Sequence, residues 1–256
     1  MGSDYIQDYR EQGFAVVRGL FRAEEVEAMA AAFDRVRSEG LRHPASYRHQ
    51  NVFFRLGQDA RLGRILRLVQ WPSYFDPALD AVRLDLRILE ILAPLIGADL
   101  KQIINQMHWK PPGAASAEFA FHQDIRFRRP RAAFRDLAHS YVQTGIAIDR
   151  HTARSGCMRM IPGSHRLGEL ALGGSGPVLD APASEAELRR AGFSPADLVD
   201  LELEPGDFAL WNLLTVHGSG PNRAASDRRL YINGYVVAEN ADRGVRAFRN
   251  GVPCPL

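Results

Sequence analysis

The stretch "DLKQIINQMHWKPPGAASAEFAFHQDIRF", residues 99–127, marks a change in the grammar of the chain. It holds two runs of strand-like composition, residues 99–110 and 117–127, separated by a Pro-Pro-Gly break. The second run interrupts its apolar residues with His122, Gln123 and Asp124 and returns at once to Ile125. Side chains two apart on a strand share a face, so a strand over this run projects His122 and Asp124 together and turns Gln123 away. Paired metal ligands are presented in this way, although a hydrogen-bonded pair in a half-buried strand has the same spacing.

Downstream the same grammar recurs in "HSYVQTGIAID" (139–149), "GCMRMIPG" (156–163), "DFALWNLLTVHGSG" (207–220) and "RRLYINGYVVA" (228–238). Short strands with few helices between them predict a mainly β fold with flanking helices (α+β), an antiparallel sandwich or barrel rather than βαβ units. Residues 171–200 interrupt it with Gly, Ser, Pro and a short helical piece, an excursion over the sheet and a candidate lid. The tail after Glu239 offers little core. Upstream, the pattern predicts a short helix, a strand at Phe14–Val17 and a helix from about Ala23 to Ser38 ending at Gly40. Residues 41–57 show no sustained period and read as a loop. Residues 78–97, "ALDAVRLDLRILEILAPLIG", read as one long helix with Pro94 near its end and Gly97 closing it. One domain over residues 1–256 is expected, its N-terminal region (residues 1–97) helical and its β core at about 99–240.

Composition narrows the function classes. The chain has 256 residues, 46% hydrophobic and 24% charged, with a formal net charge of +2. That balance is ordinary for a globular protein and too mild for a nucleic-acid binder, though it admits an anionic small molecule. Two cysteines, Cys157 and Cys254, make no disulfide framework, and the N-terminus lacks a basic segment followed by an apolar one, so a reduced, cytoplasmic setting is expected. No run approaches the roughly eighteen apolar residues that cross a bilayer.

A metal site needs a third ligand. His217 follows an apolar run and precedes Gly218, Ser219 and Gly220, at the rim of a predicted sheet. Two histidines and one carboxylate on one side of a metal leave positions open, the facial arrangement of non-haem Fe(II) oxygenases. The same donors also suit zinc. Arg228 opens the next predicted strand, where its planar fork can grip the distal carboxylate of a keto-acid co-substrate.

"FHQD" (121–124), "SGCMRMIPGSHRLG" (155–168), "EPGDFALWN" (204–212) and "VHGSGPNRAASDRR" (216–229), in this order over roughly residues 5–240, resemble the phytanoyl-CoA dioxygenase family of Fe(II)- and 2-oxoglutarate-dependent oxygenases. The resemblance implies a double-stranded β-helix (jelly roll, cupin-like) core. It implies His122, Asp124 and His217 as iron ligands, Arg228 on the C5 carboxylate of 2-oxoglutarate and Ser219 assisting that arginine. Lys110 matches a position lining the co-substrate site, and His108 shares its strand face. Cofactors would be Fe(II), 2-oxoglutarate and O2, with ascorbate as an optional reductant; the products of the co-substrate are succinate and CO2. Relatives that halogenate carry a small residue in place of the carboxylate, so Asp124 favours hydroxylation, or desaturation or cyclisation. The substrate expected is a small metabolite of specialised or catabolic metabolism, since "GGSG" (173–176) lacks the flanking strand and helix of a phosphate-cradling loop. The competing readings are a non-catalytic cupin-like binding protein and a zinc-dependent hydrolase or isomerase using the same triad.

Other residues have plainer expectations. The arginine cluster at 126–135 could receive a phosphate or carboxylate, but a solvated loop is the simpler reading. Trp109 and Trp211 are expected to pack in the core, with Trp211 near enough to His217 in sequence to line the pocket. One of Gln143 and Thr144 should face the cavity. Cys157 reads as a small buried hydrophobe, and His43, His49, His139, His151 and His165 as surface or hydrogen-bonded residues.

Overall fold

The computed structural model describes residues 4–114, 117–172 and 176–256. The chain opens with α1 (Tyr5–Gln12), β1 (Phe14–Val17) and α2 (Ala23–Gly40), as the periodicity predicts. Asp4 caps α1 by accepting from the Gln7 N–H, and Gly13 ends it at φ 85°, a left-handed conformation open to glycine.

Residues 41–57 are not one loop. They enter a meander of β2 (Tyr47–His49), β3 (Val52–Asp59) and β4 (Gly63–Gln70). The period-2 signal is hidden because both faces of β3 are used. Val52 and Phe54 pack against the helices, while Phe53 and Arg55 face the cavity, so apolar and polar residues do not alternate. The Asp59 carboxylate accepts from the N–H groups of Arg61 and Leu62 and closes the β3–β4 turn.

The long helix expected over 78–97 is two, α3 (Pro77–Arg83) and α4 (Leu86–Ile96). Asp85 interrupts the apolar pattern as a fresh N-cap, accepting from the Arg87 N–H at 2.9 Å. Gly97 does end α4, its N–H bonded to the Ala93 carbonyl.

The remaining elements are β5 (Leu100–Lys110), β6 (Phe119–His122), α5 (Leu137–Ser140), β7 (Tyr141–Ala147), β8 (Met158–Met160), α6 (Glu185–Arg190), β9 (Val199–Leu201), β10 (Phe208–Trp211), β11 (His217–Ser219), β12 (Arg228–Val237), β13 (Val245–Arg249) and β14 (Val252–Pro253). The larger sheet runs β1-β10-β7-β12-β5-β4-β3-β2, with β13 on β5 and β14 on β13. The smaller runs β6-β11-β8-β9. The tail after Glu239 therefore contributes more core than its composition suggests: Ala247 and Phe248 are fully buried, Phe248 beside Tyr235.

Alternation on β10, β12 and β7 separates two apolar layers. Phe208, Leu210, Tyr231, Val142 and Ile146 point outward and pack against α2, α3 and α4. Ala209, Trp211, Leu230, Ile232 and Ala147 point inward and meet Met158, Met160 and Leu201 of the smaller sheet. This is the two-sheet packing of an antiparallel sandwich, and the cavity opens between the sheets. Gly145 lies on the inner face, where a Cβ would press against Leu230 and the Trp211 ring at 3.1 and 3.3 Å.

The 171–200 excursion is anchored rather than loosely laid. Leu172 and Leu188 are buried against Phe121, Ile161 and Val216 behind the smaller sheet. Val178 accepts from the Ala120 N–H, extending β6 at the cavity mouth. Residues 173–175, which include most of "GGSG", lie outside the described residues.

Candidate active site

His122 and Asp124 do not share one strand. β6 ends at His122, and Asp124 begins a single 3-10 turn (Asp124–Phe127) whose backbone re-aims the carboxylate. His217 likewise begins β11 instead of closing the strand before it, because residues 212–216 form the turn from β10. β11 pairs with β6 so that His217 lies directly opposite His122. The two rings are 4.3 Å apart by centroid, and ligand atoms of His122, Asp124 and His217 all lie within 4.8 Å of one another.

Each imidazole is oriented by the carbonyl two residues before it. His122 Nδ1 is 2.8 Å from the Ala120 oxygen and His217 Nδ1 is 2.9 Å from the Thr215 oxygen. A carbonyl only accepts, so both Nδ1 atoms carry the proton and both Nε2 lone pairs face Asp124. Those Nε2 atoms stand 3.6 and 3.8 Å from the Asp124 oxygens, too long for hydrogen bonds and suited to ligands around an ion. Burial, and then the neighbouring His122 ring, lowers the His217 pKa to about 4, so it is neutral at physiological pH. Burial opposes ionisation of Asp124, but a proton entering the cluster goes to the His217 or His122 ring before the carboxyl, and with Arg128 nearby the carboxyl is held below its ordinary range. The donor set, two imidazoles and one carboxylate on one side of a cavity, fits Fe(II).

Trp211 lines the cavity and donates its indole N–H to the second Asp124 oxygen at 2.9 Å. Its second task, orienting a ligand, is not legible locally. Gln123 points away, as strand parity predicts, and staples the turn: its amide donates to the Gly168 and Leu214 carbonyls and accepts from the Leu170 N–H.

The cavity has a volume of about 450 Å³. Arg228 lines it while only 1% exposed, and its Nε and Nη2 have no hydrogen-bond partner among the described residues. Burial pulls its pKa down to about 10, which leaves it charged. Ser219 and His108 also line the cavity, and burial together with Arg228 lowers His108 to about 3, keeping it neutral. Lys110 stands one layer back, its ammonium bonded to Ser219 Oγ at 2.6 Å and to the Gly220 and Gly156 carbonyls. Gln143 faces the cavity. Thr144 does not, and its hydroxyl donates to the Asn233 carbonyl.

Trp109 packs in the core as expected, and Cys157 is buried with its thiol pushed up to about 11 by burial, which makes it a poor nucleophile. Most of the arginine cluster is tied to the surface. Arg129 and Arg131 face Glu169, and Arg135 pairs with Asp242. Arg128 departs from the solvated-loop expectation: it turns inward, 4% exposed, and lines the cavity.

A two-sheet β fold with a buried His-Asp-His cluster and an uncommitted arginine in one cavity defines the class of cupin-like Fe(II)/2-oxoglutarate oxygenases. The family model for phytanoyl-CoA dioxygenase (PhyH) matches residues 9–230, and the chain belongs to that family. A probable α-ketoglutarate-dependent hypophosphite dioxygenase of Stutzerimonas stutzeri is 24% identical over 93% of this chain and 80% of that protein. An ectoine dioxygenase of Bordetella parapertussis is 24% identical over 87% of this chain and 71% of that protein. Among solved structures, the epimerase SnoN in complex with Fe3+, α-ketoglutarate and nogalamycin RO shares the fold, with a TM-score of 0.65 at 23% identity, covering 96% of this chain and 85% of that one. The family requires Fe(II), 2-oxoglutarate and O2, and the protein is an oxidoreductase acting on a small molecule.

Proposed function

We propose that His122 Nε2, Asp124 and His217 Nε2 hold Fe(II), and that Arg228 anchors the C5 carboxylate of 2-oxoglutarate, for hydroxylation of a small metabolite or the related desaturation or cyclisation. The observation that carries this reading is the convergence of three ligand atoms within 4.8 Å with both Nδ1 positions occupied by backbone carbonyls. Fe(II) held there would supply O2 chemistry, with O2 as the oxidant, two electrons coming from 2-oxoglutarate as it becomes succinate and CO2, and two from the substrate. The chain's own groups bind and orient. Trp211 fixes the Asp124 carboxylate so that one oxygen remains for the metal. Lys110 donates to Ser219 Oγ, which frees the serine hydroxyl proton to meet a carboxylate beside Arg228. Apolar Leu68, Ile104, Met158, Leu230 and Ile232 line the rest and keep water away from the reacting atoms.

A zinc hydrolase or isomerase on the same triad leaves the unpaired Arg228 without a task. No helix among the described residues is long and apolar enough to cross a membrane, and both cysteines are free. The free cysteines are in keeping with a reducing, cytoplasmic setting. The test is succinate formation from 2-oxoglutarate under air: it should require added Fe(II) and be abolished in His122→Ala and Asp124→Ala. Turnover of a hydrolysable or isomerisable substrate with Zn(II) alone, without 2-oxoglutarate, would instead select the zinc reading.

A further inference from the structure

Among the described residues two buried guanidiniums, not one, face the cavity without a carboxylate at ion-pair distance. Arg228 opens β12, beside Lys110 of β5. Arg128 follows the 3-10 turn that carries Asp124, with its guanidinium 5.0 Å above the ring of Tyr141. Tyr141 is paired with Val236, eight positions further along β12, roughly 25 Å of strand away. The two cations therefore enter from opposite ends of the cavity floor. Arg128 Nε has no hydrogen-bond partner and no carboxylate lies within ion-pair distance of Arg128 among the described residues. Asp124, the acid whose ionisation it favours, is already hydrogen-bonded by Trp211.

This inference rests on the oxygenase reading for its counting. 2-Oxoglutarate brings one carboxylate to the metal and one to a distal cation, so Arg228 accounts for the second and Arg128 is left over. A buried guanidinium with an unpartnered Nε and no ion pair is costly to a folded protein, and an incoming oxyanion lowers the cost. We infer that Arg128 is the specificity-determining receptor for an oxyanion, a carboxylate or a phosphoryl group, carried by the primary substrate on an otherwise apolar body. The planar fork suits either group through two parallel N–H···O bonds.

The test uses anaerobic protein loaded with Fe(II) and saturating 2-oxoglutarate, so that Arg228 is engaged. Phenylacetate, benzylphosphonate and the neutral phenylacetamide are added at constant ionic strength, and the melting temperature is read. One or both anions should raise it in the wild type and the amide should not; which anion acts distinguishes a carboxylate from a phosphoryl site. Arg128→Met should need at least about tenfold more anion for the same rise, the loss of one charge-assisted pair. It should retain the visible chelate band of 2-oxoglutarate and, without anion, melt at or above the wild type. Arg128→Lys, which keeps the charge and loses the fork, should weaken the response to a lesser degree and serves if Arg128→Met does not fold. An equal anion response in wild type and variant overturns the proposal, as does absence of any response in the wild type. Loss of the chelate band in Arg128→Met also overturns it, by assigning Arg128 to the co-substrate. If the wild type forms no chelate band, the oxygenase reading fails, and the same titration on metal-free protein still decides the role of Arg128.

Discussion

His122 and His217 are held alike, each Nδ1 on the carbonyl two residues earlier, so backbone, of β6 for one and of the turn before β11 for the other, sets the tautomer that a metal requires. Asp124 has no such backbone hold and relies on Trp211. Replacing Trp211 by Phe keeps the ring and removes the donor. Iron affinity should fall about 10- to 100-fold, measured by anaerobic Fe(II) titration, while the near-UV spectrum stays that of a folded protein. An unchanged affinity would remove Trp211 from the site. Arg228→Met should raise the KM for 2-oxoglutarate roughly 10- to 100-fold through loss of charge-assisted hydrogen bonds, read from initial rates of succinate formation. Unchanged dependence would shift the anchor to another cation. His122, Asp124, His217 and Arg228 were legible because each stands at a break in an apolar run. Trp211 was legible as a pocket-lining residue from its nearness to His217 but not as the holder of Asp124, and the arginine cluster did not show which member turns inward, because one arginine among many carries no local mark of direction.

At the scale of elements, β12 spans both layers. Its inward residues reach the cavity, and its outward Tyr231 ties the sheet to the helical layer. The Tyr231 hydroxyl accepts from Asn105 at 2.6 Å, meets the Ser73 hydroxyl at 2.8 Å and donates to the Leu79 carbonyl at 2.8 Å. Tyr231→Phe leaves a buried amide donor and a buried carbonyl short of a partner and should cost about 1–3 kcal/mol, seen as a lower urea midpoint with an unchanged slope. A neutral result would show that water or a neighbour replaces the hydroxyl. β5, β7, β10 and β12 were readable from composition and punctuation. The meander β2–β4 was not, because β4 is buried on both faces and loses its alternation, β3 turns Phe53 and Arg55 to the cavity, and β2 is short and mostly exposed. The break between α3 and α4 rests on one capping aspartate inside a continuous apolar pattern, and β13 needs β5 as a partner before its two buried residues have a core to join.

Across the whole molecule, the two sheets are linked at the cavity mouth through the residues after 176. Arg67 of β4 is 1% exposed, donates to the Trp109 carbonyl and pairs with Asp180 at 2.7 Å, and Asp180 also faces Arg55. Asp180→Ala strands the buried Arg67 charge. Because Asp180 is itself partly exposed, the loss should be about 1–3 kcal/mol rather than that of a sealed pair, checked by chemical denaturation; no loss would show that the sheets are held by their apolar layer alone. A mainly β core with flanking helices followed from the order of the motifs, but that β1–β4 of the N-terminal part join the larger sheet and that the helices cover its outer face did not. The central claim is that one cavity gathers a metal triad and a co-substrate cation. Visible absorbance during anaerobic titration of 2-oxoglutarate into Fe(II)-loaded protein tests it most directly. One equivalent of chelate band per chain is expected in the wild type, none in His122→Ala, and a band needing much more 2-oxoglutarate in Arg228→Met; no band in the wild type, or the same band in all three, would contradict it.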